Sequence, residues 1–251
     1  MREMEGIVMK TTRYGESSVI AELLTAEEGL LTIIAGSLQS KRGRAHAALL
    51  KTGSPVLVVI YYKPTGNMHR LKQVSPSYFL QRIPFSIVKS SLLLFAIDVA
   101  RNAFRSYSGD AETYHFLIEE VKALDQAQSA LALFPITFMM KLSDNLGFGP
   151  EYAENGAVGY FDLYQGVFSH QIPQNPHHLS ESDTHCFWEL GRYLQERGKC
   201  PKLDRATRTR LLDALITFFR FHIDPFQVPK SHQILSDLFH PDPDSEGPKK
   251  P

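Results

Sequence analysis

The sequence predicts an α+β chain in which a small five-stranded barrel precedes a helical domain. Three observations carry that reading. Up to about residue 80, β-branched and aliphatic residues come in short runs separated by turn residues. From Pro84 the apolar period changes from two to about 3.6. Between Gly29 and Ile97 there is no Asp or Glu, which sets the first part of the chain apart from the rest. At 251 residues the chain also exceeds the roughly 100–200 residues usual for one domain.

Glu5 to Arg13 and Ser17 to Leu24 read as the first two strands, parted by Tyr14-Gly15-Glu16. Thr25 to Gly29 suits a type I turn with a glycine bulge, because glycine tolerates the positive φ needed there. Leu30 to Ala35 returns as the third strand. Gly36 to Arg44 is small, polar and basic and reads as a loop, with a helical piece from Ala45 to Lys51. Ser54 to Tyr62 and His69 to Val74 complete the set around the turn Lys63 to Asn67. Five strands with a helix before the fourth suit an OB-fold. An SH3-like barrel has a similar inventory, and strand count does not separate them.

Ile87 to Phe104 is apolar on most faces and reads as a buried helix. Ala111 to Leu124 follows, with Asp110 as its cap, and then Leu133 to Leu146, ending at Gly147 and Pro150. Tyr160 to Leu163 and Val167 to His170 form a hairpin through Gln165-Gly166. Ser180 and Asp183 have capping-box spacing for a helix to about Arg197, Asp204 caps another, and Ser231 opens a last one carrying Ile234, Leu235, Leu238 and Phe239. The expected domains are residues 1–80, an OB-fold, and residues 81–240, all-helical with a hairpin insertion near 158–172. Residues 241–251 are expected to be a disordered tail.

The formal net charge of zero hides an asymmetry. The acid-free stretch carries nine Lys and Arg, whereas the chain from Asp98 on has 15 against 21 Asp and Glu. A basic face without interleaved carboxylates attracts a polyanion at long range. The candidate DNA contacts in the barrel are Lys10, Arg13, Lys41, Arg42, Arg44, Lys63, Arg70 and Lys72. Arg205 and Arg208 are the candidates within a second basic cluster, Arg192 to Arg210. Tyr14, Tyr61, Tyr62 and Tyr78 are candidate surfaces for stacking single-stranded bases.

Catalytic chemistry has little footing. There is no phosphate-binding Gly-Lys-Ser/Thr loop and no Gly-x-Ser-x-Gly elbow. A metal-dependent nuclease would need carboxylates near the basic surface, and the acid-free stretch offers none. His177, His178, His185 and Cys186 form the one metal-like cluster, but adjacent histidines seldom reach one ion. No cofactor is expected, and Cys186 and Cys200 read as reduced thiols. No apolar run approaches the roughly 20 residues that span a membrane, and the acidic N-terminus is unlike a signal peptide, so a cytoplasmic location is expected.

Glu5-Gly6-Ile7-Val8-Met9-Lys10, then Tyr14-Gly15-Glu16-Ser17-Ser18 and the Thr25 to Gly29 turn, resemble the N-terminus of the RecO family of recombination mediators. The basic Gly36 to Arg44 segment, Ile83-Pro84-Phe85, Lys141-Leu142-Ser143 with Leu146-Gly147-Phe148, Tyr160-Phe161-Asp162-Leu163, and Lys230-Ser231 to Leu238-Phe239 are similar to later family landmarks, in order. The resemblance covers about residues 3–240. It implies an OB-fold that binds single- and double-stranded DNA, strand annealing without ATP, and loading of recombinase onto strands coated by single-strand-binding protein. The partners it implies are RecR, RecF in some systems, and the acidic tail of single-strand-binding protein. We place the slot for that tail in the helical region, where Arg101, Arg105, Lys141 and Arg220 punctuate apolar stripes. Many relatives carry a four-cysteine zinc knuckle near Phe148 to Ile172. This chain has no cysteine there, so the zinc does not carry over. The competing reading is a protein-interaction scaffold that binds no DNA.

Overall fold

The computed structural model describes residues 1–36, 39–104, 111–152, 159–195, 198–229 and 231, with the Arg42 side chain left outside. They form two compact units, one of the described residues within Met1–Ser129 together with Pro229 and Ser231, the other of those within Ala130–Val228. The change from strands to helices near residue 80 therefore falls inside the first unit.

In that unit β1 (Arg2–Tyr14), β2 (Ser18–Thr25), β3 (Gly29–Ala35), β4 (Pro55–Tyr61) and β5 (His69–Pro76) close into a barrel ordered β1-β2-β3-β5-β4. Neighbours are antiparallel except β3 and β5, which run parallel through Ile33–His69 and Ile34–Arg70. That order, with α1 (Lys41–Leu49) between β3 and β4, is the OB arrangement and excludes the SH3-like alternative. β1 pairs with β4 through Arg2 to Ile7 and with β2 through Gly6 to Tyr14, and its register slips between Val8 and Lys10. A bulge bends a strand, which lets one strand serve both partners. The expected Thr25 to Gly29 turn is present. Thr25 Oγ1 accepts from the Glu28 N–H (3.2 Å) and donates to the Gly29 carbonyl (3.1 Å), and Gly29 takes φ +62°. Val8, Leu23, Ile33, Val58 and Ile60 are fully buried inside the barrel. Each contributes about 1.5–3 kcal/mol relative to exposure.

The helix after β3 begins earlier than expected. Lys41, Arg42 and Arg44 lie in the first turn of α1, not in a loop, and Ser40 caps it by accepting from the Gly43 N–H (3.0 Å). α2 (Ile87–Phe104) and α3 (Ala111–Gln126) pack on the barrel within the same unit. Arg101 grips Glu22 of β2 with two bonds (2.7 and 3.0 Å), and Tyr114 donates to Glu5 of β1 (3.2 Å). At Gly53 (φ +84°) an added Cβ would lie 2.5 Å from the Leu93 side chain, so the turn before β4 must stay bare to meet α2.

Asp125, at the end of α3, holds the crossing from β5 to α2. Its carboxylate accepts from the N–H groups of Gln81, Arg82 and Ile83 (2.8, 2.9 and 2.8 Å), and Lys89 Nζ donates to its carbonyl (2.7 Å). Burial pushes this carboxyl up, but the three N–H groups and Lys89 together hold it below the ordinary range.

The second unit contains α4 (Phe134–Asn145), β6 (Tyr160–Asp162), β7 (Val167–Ser169), β8 (His178–Leu179), α5 (Glu181–Leu194) and α6 (Arg205–His222). The expected hairpin is β6–β7, and β8 adds a third strand on the other side of β6. Ser180 and Asp204 cap α5 and α6 by accepting from the Asp183 and Thr207 N–H groups (3.2 and 2.7 Å). Asp162 fastens the hairpin: Oδ1 accepts from the Tyr164 and Gln165 N–H groups (2.8 and 3.0 Å), and Oδ2 from Asn175 Nδ2 (2.7 Å). Beneath it Phe161 is fully buried among Phe168, Phe187 and Phe218, with ring centroids 4.9, 4.9 and 5.8 Å away. Asp110, the helix expected over Ile234 to Phe239 and the expected tail all lie outside the described residues.

Asp125→Ala is expected to destabilise the chain by about 2–4 kcal/mol, because it leaves three N–H groups without their acceptor. A carboxyl whose folded pKa is depressed stabilises above its unfolded pKa, and that contribution disappears as pH falls through the folded value. Urea titrations at pH 7 and pH 3 should therefore show the wild type and Asp125→Ala converging in acid. A gap of equal size at both pH values would refute this account of the crossing.

Candidate nucleic-acid interface

Strand register assembles one continuous exterior row across the barrel. Thr12 lies opposite Ile20, Ile20 opposite Ile34, Ile34 opposite Arg70, and Arg70 opposite Tyr61. Because partners in register share a face, these five side chains point outward together. Ile20 and Ile34 are half-buried, Thr12 and Arg70 are exposed, and Tyr61 is 47% exposed. The row is therefore an apolar floor ending in a cation and an open aromatic ring. Arg70 and Tyr61 were expected from composition, but Ile20 and Ile34 were missed. Their only signal is a β-branched apolar residue on the outward phase of a strand.

The other barrel cations take different places. α1 packs against β3 and β5, and the first turn that carries Lys41 and Arg44, both exposed, contains no acidic residue. Cations at a helix N-terminus oppose the helix dipole, each by a few tenths of a kcal/mol or more, and a bound phosphate relieves that conflict. Arg44 Nη1 donates to the Gln39 carbonyl (2.8 Å), which holds the guanidinium against the segment before the helix. Arg42 lies in the same turn. Lys72, exposed, follows Arg70 on the outward phase of β5, and Lys63 is exposed in the β4–β5 loop. Arg13 and Tyr14 are exposed where β1 turns into β2. Lys10 differs: it sits opposite Glu22, the carboxylate that Arg101 grips.

The four tyrosines separate in the same way. Tyr14 and Tyr61 are open to solvent, 58% and 47% exposed. The Tyr62 ring is already covered: His69 stacks on it (4.9 Å, 14°) and the Arg2 guanidinium lies 4.4 Å from its centroid. Its hydroxyl donates to Glu28 (2.7 Å), and that bond, with Arg2, holds the Glu28 carboxyl below the ordinary range. Tyr78 lines an apolar groove beneath the Lys122 ammonium, which is 5.8 Å from the ring centroid.

In the second unit, Arg205 is exposed on the first turn of α6, while Arg208 is half-buried and donates to the Leu203 carbonyl (2.8 Å). Arg210 is engaged by Asp183 through two bonds (2.9 and 2.8 Å), which pull the Asp183 carboxyl down. Lys199 and Lys202 are exposed, Arg192 lies over Trp188 (5.2 Å), and Arg197 is outside the described residues. Among the cations expected to rim a peptide slot, Arg101 is closed off by Glu22, and Arg105 lies outside the described residues.

The residues present do not fit zinc. Among the described residues no three His, Cys, Asp or Glu side chains converge as a metal site. His178 Nδ1 lies 3.0 Å from the Asn175 carbonyl, His177 packs on Phe221 (5.0 Å), and His185 lies 3.4 Å from Glu189. Burial pushes the Cys186 thiol up, away from the thiolate a metal requires. The three bonds to Asp162 and the phenylalanines around Phe161 fasten this region instead.

Residues 1–79 match the family model described as Recombination protein O N terminal, and residues 84–232 match Recombination protein O C terminal. The chain is 24% identical to a DNA repair protein RecO of Phocaeicola vulgatus, over 95% of this chain and 99% of that one. It is 29% identical to a Porphyromonas gingivalis protein of the same name, over 93% and 97%. A third, from Christiangramia forsetii, is 24% identical over 94% and 98%.

If Asp162 fastens the hairpin in place of a metal, chelation with 1,10-phenanthroline should leave the thermal transition unmoved. Asp162→Ala should instead cost about 1–3 kcal/mol, since two buried-edge N–H groups and one amide lose their acceptor. A drop in Tm on chelation, reversed by added zinc, would contradict the assignment.

Proposed function

Because the chain belongs to the RecO family of non-enzymatic recombination mediators, we propose that it binds single- and double-stranded DNA, anneals complementary strands and helps load recombinase onto strands coated by single-strand-binding protein. The observation that carries the reading is the exterior row of Ile20, Ile34, Arg70 and Tyr61, beside a helix whose first turn carries three cations and no acid. Phosphates meet Lys41, Arg42, Arg44, Lys63, Arg70 and Lys72 without base readout, which gives affinity with little sequence preference. A single strand gains more than a duplex, because its unpaired bases can lie on Tyr61 and the isoleucine floor. Neutralised phosphates also reduce the repulsion between two strands brought together, so annealing needs no nucleotide hydrolysis.

Lys10 has the weakest part in this reading, since the Glu22 carboxylate beside it offsets its charge. Arg205, with Lys199 and Lys202, supports a second contact on the other unit, and Arg208 chiefly secures the turn before α6. RecR, RecF in some systems and the tail of single-strand-binding protein are the protein partners this reading carries. A cytoplasmic location suits those partners. No helix among the described residues is long and apolar enough to cross a membrane.

The test is a salt titration of DNA affinity. Log affinity should fall linearly with log salt, by about 0.7–0.9 per phosphate contacted. Lys41→Ala/Arg42→Ala/Arg44→Ala should flatten the slope by about two to three units on any sequence. Tyr61→Ala should weaken single-strand binding by about five- to a hundredfold, the range expected for one lost base stack, and barely affect duplex binding. Salt-independent binding, or none, would favour the scaffold. An unchanged slope in the folded triple variant would move the site to the Arg205 surface.

A further inference from the structure

The last rung of the β4–β5 ladder carries two residues of the exterior row. Tyr61 and Arg70 are the final pair in register before the loop that joins the strands. Pairs at the end of a ladder fray, because they have neighbours on one side only. Alternation along the chain turns their neighbours, Tyr62 and His69, towards the barrel interior. Tyr62 packs against the barrel core, and His69 is 4% exposed.

Beyond that pair the hairpin is held by side chains instead of backbone. The Tyr62 and His69 rings stack (4.9 Å, 14°). The Lys63 N–H donates to His69 Nδ1 (3.3 Å), so an imidazole takes the place of a strand carbonyl. A polar ring this deeply buried needs such a partner. Two further segments secure the stack. Arg2, at the start of β1, lies 4.4 Å from the Tyr62 ring centroid. Glu28, in the β2–β3 turn, accepts from the Tyr62 hydroxyl (2.7 Å) and pairs with Arg2. Four segments distant in sequence therefore meet at one end of the hairpin. Arg2 and Glu28 cancel each other, so the cluster offers phosphate little and is suited to a mechanical part.

We propose that His69 and Tyr62 are positioning residues for single-stranded nucleic acid: their stack, clamped through Lys63, Glu28 and Arg2, fixes the last rung so that the Tyr61 ring keeps the orientation a base must meet. The inference rests on the reading that Tyr61 stacks on unpaired bases. Contact between rings depends on their angle and separation, whereas the long Arg70 side chain follows a phosphate through its rotamers. Loosening the clamp therefore costs single strands and spares duplex.

The experiment measures the anisotropy of a fluorescein-labelled thymidine oligomer, and of a duplex of the same length, with the full chain at one salt concentration. His69→Phe keeps a ring and removes the acceptor for Lys63. It should weaken single-strand binding by at least about threefold, and by no more than Tyr61→Ala does, since one base stack is all it acts on. Duplex affinity should stay within about twofold, because phosphate contacts carry it. In a Tyr61→Ala background His69→Phe should cause no further loss, because the two residues act as one unit. Tyr62→Phe, which removes one hydroxyl from a half-buried side chain, should give the same selective pattern, and it decides the matter if His69→Phe does not fold. Equal losses on single strand and duplex, an undiminished effect in the Tyr61→Ala background, or full single-strand affinity in either folded variant would overturn the proposal. Full affinity in these variants, beside a Tyr61→Ala that does weaken single strands, sinks the clamp alone and leaves the DNA reading standing. If Tyr61→Ala changes nothing, the base stack and the clamp fall together.

Discussion

A β-sheet closes on itself only if one strand meets two partners that lie in different directions, and here that strand is β1. Its first half follows β4 and its second half follows β2, with the slip between Val8 and Lys10 allowing the change of course. Without that bend β4 would be left with an open edge, and β5 would lose the frame that sets it beside β3. The parallel contact of β3 and β5 is only two residue pairs long, too short to hold by itself, yet it brings Arg70 and Tyr61 into line with Ile34 and Ile20. The geometry of the exterior row is thus a consequence of closure, not of any local preference of the residues that form it.

Electrostatic allocation reinforces this geometry. In the barrel unit the carboxylates of Glu5, Glu22, Glu28, Asp98 and Asp125 all have partners within the fold: Tyr114, Arg101, Tyr62 with Arg2, Ser231, and the backbone N–H groups of the crossing. Most of the lysines and arginines are on the outside. These five carboxylates are thus turned to structural use, while Glu3, Glu16 and Glu27 stay exposed near the first turns of the barrel. The charge asymmetry of the unit rests on the acid-free run from Gly29 to Ile97.

Strands, turns and caps were legible wherever the cause is local. Gly29 after Thr25, Ser180 before its helix and Asp204 before the next each announce a backbone requirement within four residues. The start of α1 was not legible as helix, since Lys-Arg-Gly-Arg combines a poor helix former with cations at the wrong end of the dipole. Packing on β3 and β5 overrides that local cost, and the cap at Ser40 was the one sign available. β8 was beyond reach because two residues carry no period. The attachment of α2 and α3 to the barrel was also hidden. It depends on Arg101 finding Glu22 and Tyr114 finding Glu5, pairs 79 and 109 positions apart. Cations of the proposed binding face could be named from sequence, but the apolar floor beside Arg70 required register, and register is a property of partners.

The stack of Arg192 over Trp188 has a practical consequence. Trp188 is the only tryptophan in the chain, and it belongs to the unit built from α4, α5 and α6. The barrel unit has tyrosines and phenylalanines but no tryptophan. Light absorbed at the red edge of the protein spectrum is therefore emitted from one half of the molecule, and a guanidinium lies close enough to that indole to colour its emission. The chain carries its own optical label, placed so that events in the helical unit can be watched without interference from the barrel.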